Sequence, residues 1–181
     1  MATSILPARK ERQTPRVKMV AWMATQEVFV PAEVGDKAPG FTLPTDDWDN
    51  MVSLEDYTKE GPVALFFYPG DWSSTCTHQI EKIQAEIGRF EERNASVLAI
   101  STDSPWSHRA FAEAEGIGFP LLANFERETI EDYGFKHERG FPGRAHFIID
   151  REGTIRAKRV EPSTKDHPDV GAVLADLDGA L

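Results

Sequence analysis

The segment Val63-Ala64-Leu65-Phe66-Phe67-Tyr68-Pro69-Gly70-Asp71-Trp72-Ser73-Ser74-Thr75-Cys76-Thr77-His78-Gln79-Ile80 decides how this chain is read. Its first six residues form an unbroken apolar run, the pattern of a central strand buried on both faces. Pro69 and Gly70 end that run. From Cys76 onward, Ile80, Ile83, Ile87 and Phe90 recur at steps of three and four, which places them on one face of a helix reaching Glu91. The segment is therefore strand, loop, helix, with Cys76 at the head of the helix. There, unpaired backbone N–H groups and the positive end of the macrodipole favour the anionic form of a thiol, so Cys76 is a candidate reactive thiolate.

The same alternation extends in both directions. Phe41–Leu43 and Val52–Leu54 read as short strands about the polar turn Asp46-Asp47-Trp48-Asp49-Asn50. Downstream come a second central strand over Ser96–Ser101, a helix over Trp106–Glu115 begun at Ser104-Pro105, a strand over Phe119–Ala123 and a helix over Arg127–Tyr133. Arg144–Asp150 and Thr154–Val160 flank Arg151-Glu152-Gly153, a hairpin signal, and a last helix spans Val170–Leu181 after Pro168. Strands alternating with helices and closing on a hairpin predict an α/β protein, a three-layer α/β/α fold around a central mixed sheet, over residues 34–181. Residues 1–33 form an N-terminal extension. Arg9, Lys10, Arg12, Arg16 and Lys18 face only Glu11 across its first 18 residues, which read as a flexible basic tail, while Lys18–Val30 suits an added strand or hairpin.

Composition narrows the chemistry. A chain of 181 residues fits one domain able to bury a core without staples. The formal charge of −10 disfavours nucleic acid and anionic membranes as partners, and the apolar runs are too short to cross a bilayer. One cysteine gives no internal disulfide, no CxxC pair and no zinc-ligand cluster, so a cytoplasmic setting, no metal and no cofactor are expected. The Asp46–Asp49 cluster lacks the glycine and terminal glutamate of a calcium loop and reads as a solvated turn. Gly140-Phe141-Pro142-Gly143 lacks the lysine and hydroxyl of a phosphate-cradling loop and reads as a turn delivering Arg144. His78, two residues beyond Cys76, points about 200° away from it on a helix, which argues against a cysteine hydrolase. His108, His137, His146 and His167 are scattered and read as solvated or structural.

Pro69-x-x-x-Ser73-x-x-Cys76 resembles the active-site pattern of the peroxiredoxins. Val34-Gly35-Asp36-Lys37-Ala38-Pro39-Gly40-Phe41-Thr42-Leu43 looks like that family's opening segment, and Arg144-Ala145-His146-Phe147-Ile148-Ile149-Asp150 like its later arginine-bearing strand. The resemblance covers residues 34–181 and implies a thioredoxin-like fold and reduction of hydrogen peroxide or small organic hydroperoxides. It implies that Cys76 is the peroxidatic cysteine, its thiolate attacking a peroxide oxygen to leave a sulfenic acid. Arg144 would hold the thiolate and stabilise charge developing on the peroxide. Pro69 would shield the sulfur or simply end the strand, and Ser73 would bond the thiolate or peroxide, cap the helix, or both. Gln79 shares the helical face of Cys76 and would support the site or lie on the surface, while Trp72 would line the pocket entrance or join the core.

The resemblance also makes absences informative. Where some peroxiredoxins carry a resolving cysteine, five positions on, this chain has Glu81, and Asp178–Leu181 holds none. A single-cysteine type is implied, similar to the bacterioferritin-comigratory or AhpE-like branches. Its sulfenate would be reduced by an external thiol: thioredoxin, a glutaredoxin-like protein or a low-molecular-weight thiol. Homodimers or larger rings are implied as well. A redox-sensing or chaperone-like binding protein on the same scaffold is the competing reading, because fold alone does not dictate function. A protein thiol-disulfide oxidoreductase is disfavoured by the missing second cysteine.

Overall fold

A computed structural model describes residues 31–181. The basic tail and the strand or hairpin expected over 18–30 lie outside the described residues. Five strands form the main sheet: β3 (Val63–Phe67), β4 (Ser96–Ser101), β5 (Leu121–Ala123), β6 (Ala145–Ile149) and β7 (Ile155–Val160), in the spatial order β5-β4-β3-β6-β7. The β5, β4 and β3 strands run parallel, whereas β6 is antiparallel to both β3 and β7, so the sheet is mixed. A separate antiparallel ribbon pairs β1 (Thr42–Pro44) with β2 (Met51–Ser53).

The period of two along β3 divides the core. Ala64, Phe66 and Tyr68 face one layer with Cys76, Ile80 and Ile83 of α2 (Ser74–Ala85), Phe90 of α3 (Ile87–Glu91), Phe111 of α4 (Pro105–Glu115) and Leu174 of α6 (Val170–Asp178). Val63, Leu65 and Phe67 face the other, with Leu54 of α1 (Leu54–Glu60) and Ile130 and Tyr133 of α5 (Glu128–Tyr133). Each buried Phe contributes about 1.5–3 kcal/mol through removal from water. The three layers match the expected α/β/α arrangement.

Three local differences from the sequence reading have identifiable causes. Leu54 opens α1 instead of closing a strand, because Ser53 caps a helix: its Oγ accepts the Asp56 N–H at 3.2 Å and donates to Asp56 Oδ2 at 2.7 Å. The helix expected through Glu91 breaks at Glu86, whose ψ of 10° and N–H bond to Ile83 O form a tight turn between α2 and α3, yet Ile83 and Phe90 still share the core. The last helix stops at Asp178. Upstream, residues just before 34 already pack on the domain: Ala32 is buried, and its carbonyl accepts Lys158 Nζ at 2.9 Å.

The Asp46–Asp49 turn is closed by Thr45 N–H to Asn50 O and by the Asn50 amide to Asp46. The His137 N–H to Phe141 O bond curls the 136–142 segment, and Gly143 leads from it to Arg144. No helix among the described residues is long and apolar enough to cross a membrane.

Candidate active site

Tyr68 ends the central apolar run, and the loop 69–73 carries the chain to α2. Ser73 is the N-cap of that helix: its Oγ accepts the Cys76 N–H at 3.2 Å, and its carbonyl accepts the Thr77 N–H at 2.8 Å. Capping is thus the role of Ser73 that the structure displays. Cys76 is the third residue of α2, in the turn where the helix dipole favours negative charge, and is 0% exposed.

Arg144 enters from the neighbouring strand β6. Phe67 is in register with Ala145 across β3 and β6, so the residue before β6 arrives beside the end of β3. Its guanidinium, with the whole residue only 2% exposed, divides among three acceptors. Nη2 donates to Cys76 Sγ at 3.1 Å, Nη1 to Gln79 Oε1, and Nε to the Thr164 carbonyl at 2.9 Å. A solvated arginine is thereby ruled out, and so is a surface glutamine, since Gln79 is 1% exposed. Cys76, Gln79 and Arg144 form one buried cluster, in which Arg144 supplies a fixed positive charge at the sulfur. Gln79 Nε2 has no partner among the described atoms.

The other expected residues are placed differently. Pro69 directly follows Tyr68 and is half-buried. Trp72 is 56% exposed; its indole Nε1 donates to Ser107 Oγ at 3.1 Å, and its ring meets Phe111 edge-to-face at 5.2 Å. It belongs neither to the core nor to the Arg144 cluster.

His78 is exposed, whereas His108 and His146 are buried structural histidines, each set against an aspartate. The His108 partner is Asp71, a residue of the loop that the sequence reading passed over. Its only sequence signal is an acid just past an apolar strand and five residues before the cysteine. Thr164, which contributes only its carbonyl, left no signal at all.

Cavity volume does not mark this site. A hollow of about 370 Å³ lies between Trp48, Phe125 and α5, and its lining includes none of Cys76, Ser73 and Arg144. The chemistry identifies the site instead: a lone thiol at a capped helix N-terminus, held by a buried guanidinium. Among the described residues, no group of His, Cys, Asp and Glu is arranged to hold a metal ion.

A thioredoxin-like sheet carrying such a thiol defines a class of cysteine-centred α/β proteins. Within that class the chain belongs to the AhpC/TSA family, the peroxiredoxins, whose profile matches residues 34–158. It is 32% identical to peroxiredoxin Bcp of Escherichia coli over 147 residues, 77% of this chain and 93% of that one. The reduced 2-Cys peroxiredoxin of Plasmodium vivax superposes with a TM-score of 0.76 at 28% identity, covering 83% of this chain and 82% of that one. Peroxidoxin BcpB of Mycobacterium tuberculosis gives 0.74 at 27% identity, covering 83% and 99% respectively. The expected family and fold are both borne out.

Proposed function

We propose that this peroxiredoxin is a single-cysteine, thiol-dependent peroxidase acting on hydrogen peroxide or small organic hydroperoxides. The observation that carries the reading is the 3.1 Å contact of Arg144 Nη2 with Cys76 Sγ at the capped start of α2. The thiolate attacks the terminal oxygen of ROOH; the S–O bond forms, the O–O bond breaks, and ROH leaves after taking up a proton. Arg144 donates to the sulfur beforehand and stabilises the charge that moves onto the departing oxygen. Ser73 fixes the helix start, and Pro69 closes the strand side of the loop.

Cys76 is left as a sulfenic acid. With no second cysteine in the chain, an external thiol attacks it, forming a mixed disulfide and water, and a second thiol releases reduced Cys76. A low-molecular-weight thiol or a thioredoxin-type protein fits this role. Because Cys76 is fully covered, the loop must open for a protein reductant. A cytoplasmic homodimer completes the reading: a lone thiol suits a reducing compartment, and the exposed aromatic group Trp48, Trp106 and Phe125 supports self-association.

The test is stopped-flow tryptophan fluorescence of reduced protein mixed with hydrogen peroxide, paired with intact mass. Rapid gain of one oxygen that is lost in Cys76→Ser is the expected result. Oxidation no faster than that of a free thiol would remove the peroxidase assignment and leave the redox-sensing or chaperone-like reading.

A further inference from the structure

The loop that carries the chain into α2 is anchored by a buried carboxylate the peroxidase chemistry does not use. The Asp71 side chain is 0% exposed, yet among the described residues no lysine or arginine meets it. Instead Tyr68 donates its hydroxyl to Oδ1 at 2.8 Å, Ser107 donates its hydroxyl to Oδ2 at 2.7 Å, and His108 Nδ1 lies 3.0 Å from Oδ2. Nδ1 is the ring nitrogen that faces the carboxylate, and buried Nε2 has no partner among the described residues. The backbone of Asp71 is held as firmly: its N–H donates to Asp103 Oδ2 at 2.8 Å, and its carbonyl accepts the Ser73 N–H at 2.8 Å. Asp103 is itself fixed by the Ser101 hydroxyl at 2.8 Å.

Two features set this network apart from ordinary core packing. A buried carboxylate is expensive to desolvate, so a fold selected only for stability would do better with an apolar residue there. The second feature is Trp72, which follows Asp71 directly and adopts a φ of 62°, a left-handed conformation unusual for a bulky aromatic. Such strain persists only where neighbouring contacts over-determine it. The bond from Trp72 Nε1 to Ser107 and the two flanking bonds of the Asp71 backbone do so. A continuous path then runs from the Asp71 carbonyl through Ser73 to the amide of Cys76.

We infer that Asp71, gripped by Tyr68, Ser107 and His108, is a positioning residue that uses α4 as an anchor to set the Ser73 cap and so hold the Cys76 sulfur against Arg144. The inference rests on the peroxidase reading for what the positioned sulfur does, but its geometry can be tested without peroxide.

The experiment compares the full-length protein with Asp71→Asn, Ser107→Ala, His108→Leu and His108→Asn, the last returning an N–H donor near the position of Nδ1. Asp150→Asn, at the far end of β6, serves as a matched destabilised control. Three quantities are measured: the pH profile of Cys76 alkylation by iodoacetamide, the rate of oxidation by hydrogen peroxide, and the thermal midpoint. In Asp71→Asn, Ser107→Ala and His108→Leu the alkylation profile moves to higher pH and oxidation slows tenfold or more. His108→Asn recovers both, and Asp150→Asn changes only the thermal midpoint. Folded variants that keep the wild-type profile and rate overturn the inference, as does a control that shifts the profile equally. If Asp71→Asn does not fold, Ser107→Ala, which removes one hydroxyl, decides by the same criteria. Slow oxidation of the wild type would sink the peroxidase reading, while the alkylation comparison still decides the positioning role.

Discussion

At the scale of single residues, Arg144 ties the parts of the site together. Its three hydrogen bonds reach in three directions from one planar group, to Thr164 O, Gln79 Oε1 and Cys76 Sγ. An ammonium is a point charge on a flexible stem and cannot span that set. In Arg144→Lys, peroxide oxidation of Cys76 is expected to fall by about 10²-fold, the scale for losing a preorganised donor to developing charge. Stopped-flow fluorescence checks this, and a rate within threefold of wild type would remove Arg144 from the mechanism. Cys76 and Ser73 were legible in the sequence because a motif of fixed local spacing places them, and Arg144 because a second segment, Arg144–Asp150, resembles the family's arginine-bearing strand. Gln79 was legible as a residue on the Cys76 face, but not as a buried one, since that face is covered only when Arg144 arrives from 65 residues away. The pairing of Asp71 with His108 was missed for the same reason: they are 37 residues apart, and neither alone signals the other.

At the scale of elements, strands and helices were readable wherever periodicity and caps agreed. Ser104-Pro105 opened α4 as expected, with Ser104 Oγ accepting the Ser107 N–H, and Gly116 closed it in the left-handed region at a φ of 66°. The miss at α1 was avoidable, because Ser53-Leu54-Glu55-Asp56 carries the capping pattern before an apolar residue. The break at Glu86 was not, since the apolar spacing continues through it. Gly61, between α1 and β3, has extended backbone and no conformational need for glycine, but a Cβ there would lie 2.0 Å from the Asn94 carbonyl oxygen. Gly61→Ala must therefore push apart the starts of two central strands, and a loss of about 1–3 kcal/mol is expected by analogy with overpacked cores. Urea denaturation measures it; an unchanged midpoint would mean that the Asn94 turn yields freely.

For the molecule as a whole, pH acts through two separate windows. Burial holds the His146 imidazole below its ordinary 6.5, against the pull of Asp176. As pH falls below about 6.5 the unfolded chain takes up a proton that the folded chain refuses, so stability declines from there. The Arg159 hydrogen bond, opposed by burial, holds Asp176 below its ordinary 3.8, and the Arg93 hydrogen bond does the same for Asp178. Both contributions are complete above that value and vanish as pH falls through the lower folded-state values. Thermal midpoints should therefore decline gently from pH 7 to 5 and again below about pH 4 as α6 loses its ties to Arg159 and Arg93. His146→Gln should flatten the first slope and Asp176→Asn part of the second; equal midpoints at pH 7 and 5 in the wild type would contradict the first assignment.

The sulfur and its guanidinium are 68 positions apart and meet only when β6 has paired with β3. A ribosome releases Cys76 long before it releases Arg144, so a half-made chain carries a thiol with no guanidinium beside it. Pairing of β6 with β3 is thus the event that assembles the site, and a chain that stops short of Arg144 holds the sulfur without the group that meets it in the finished fold.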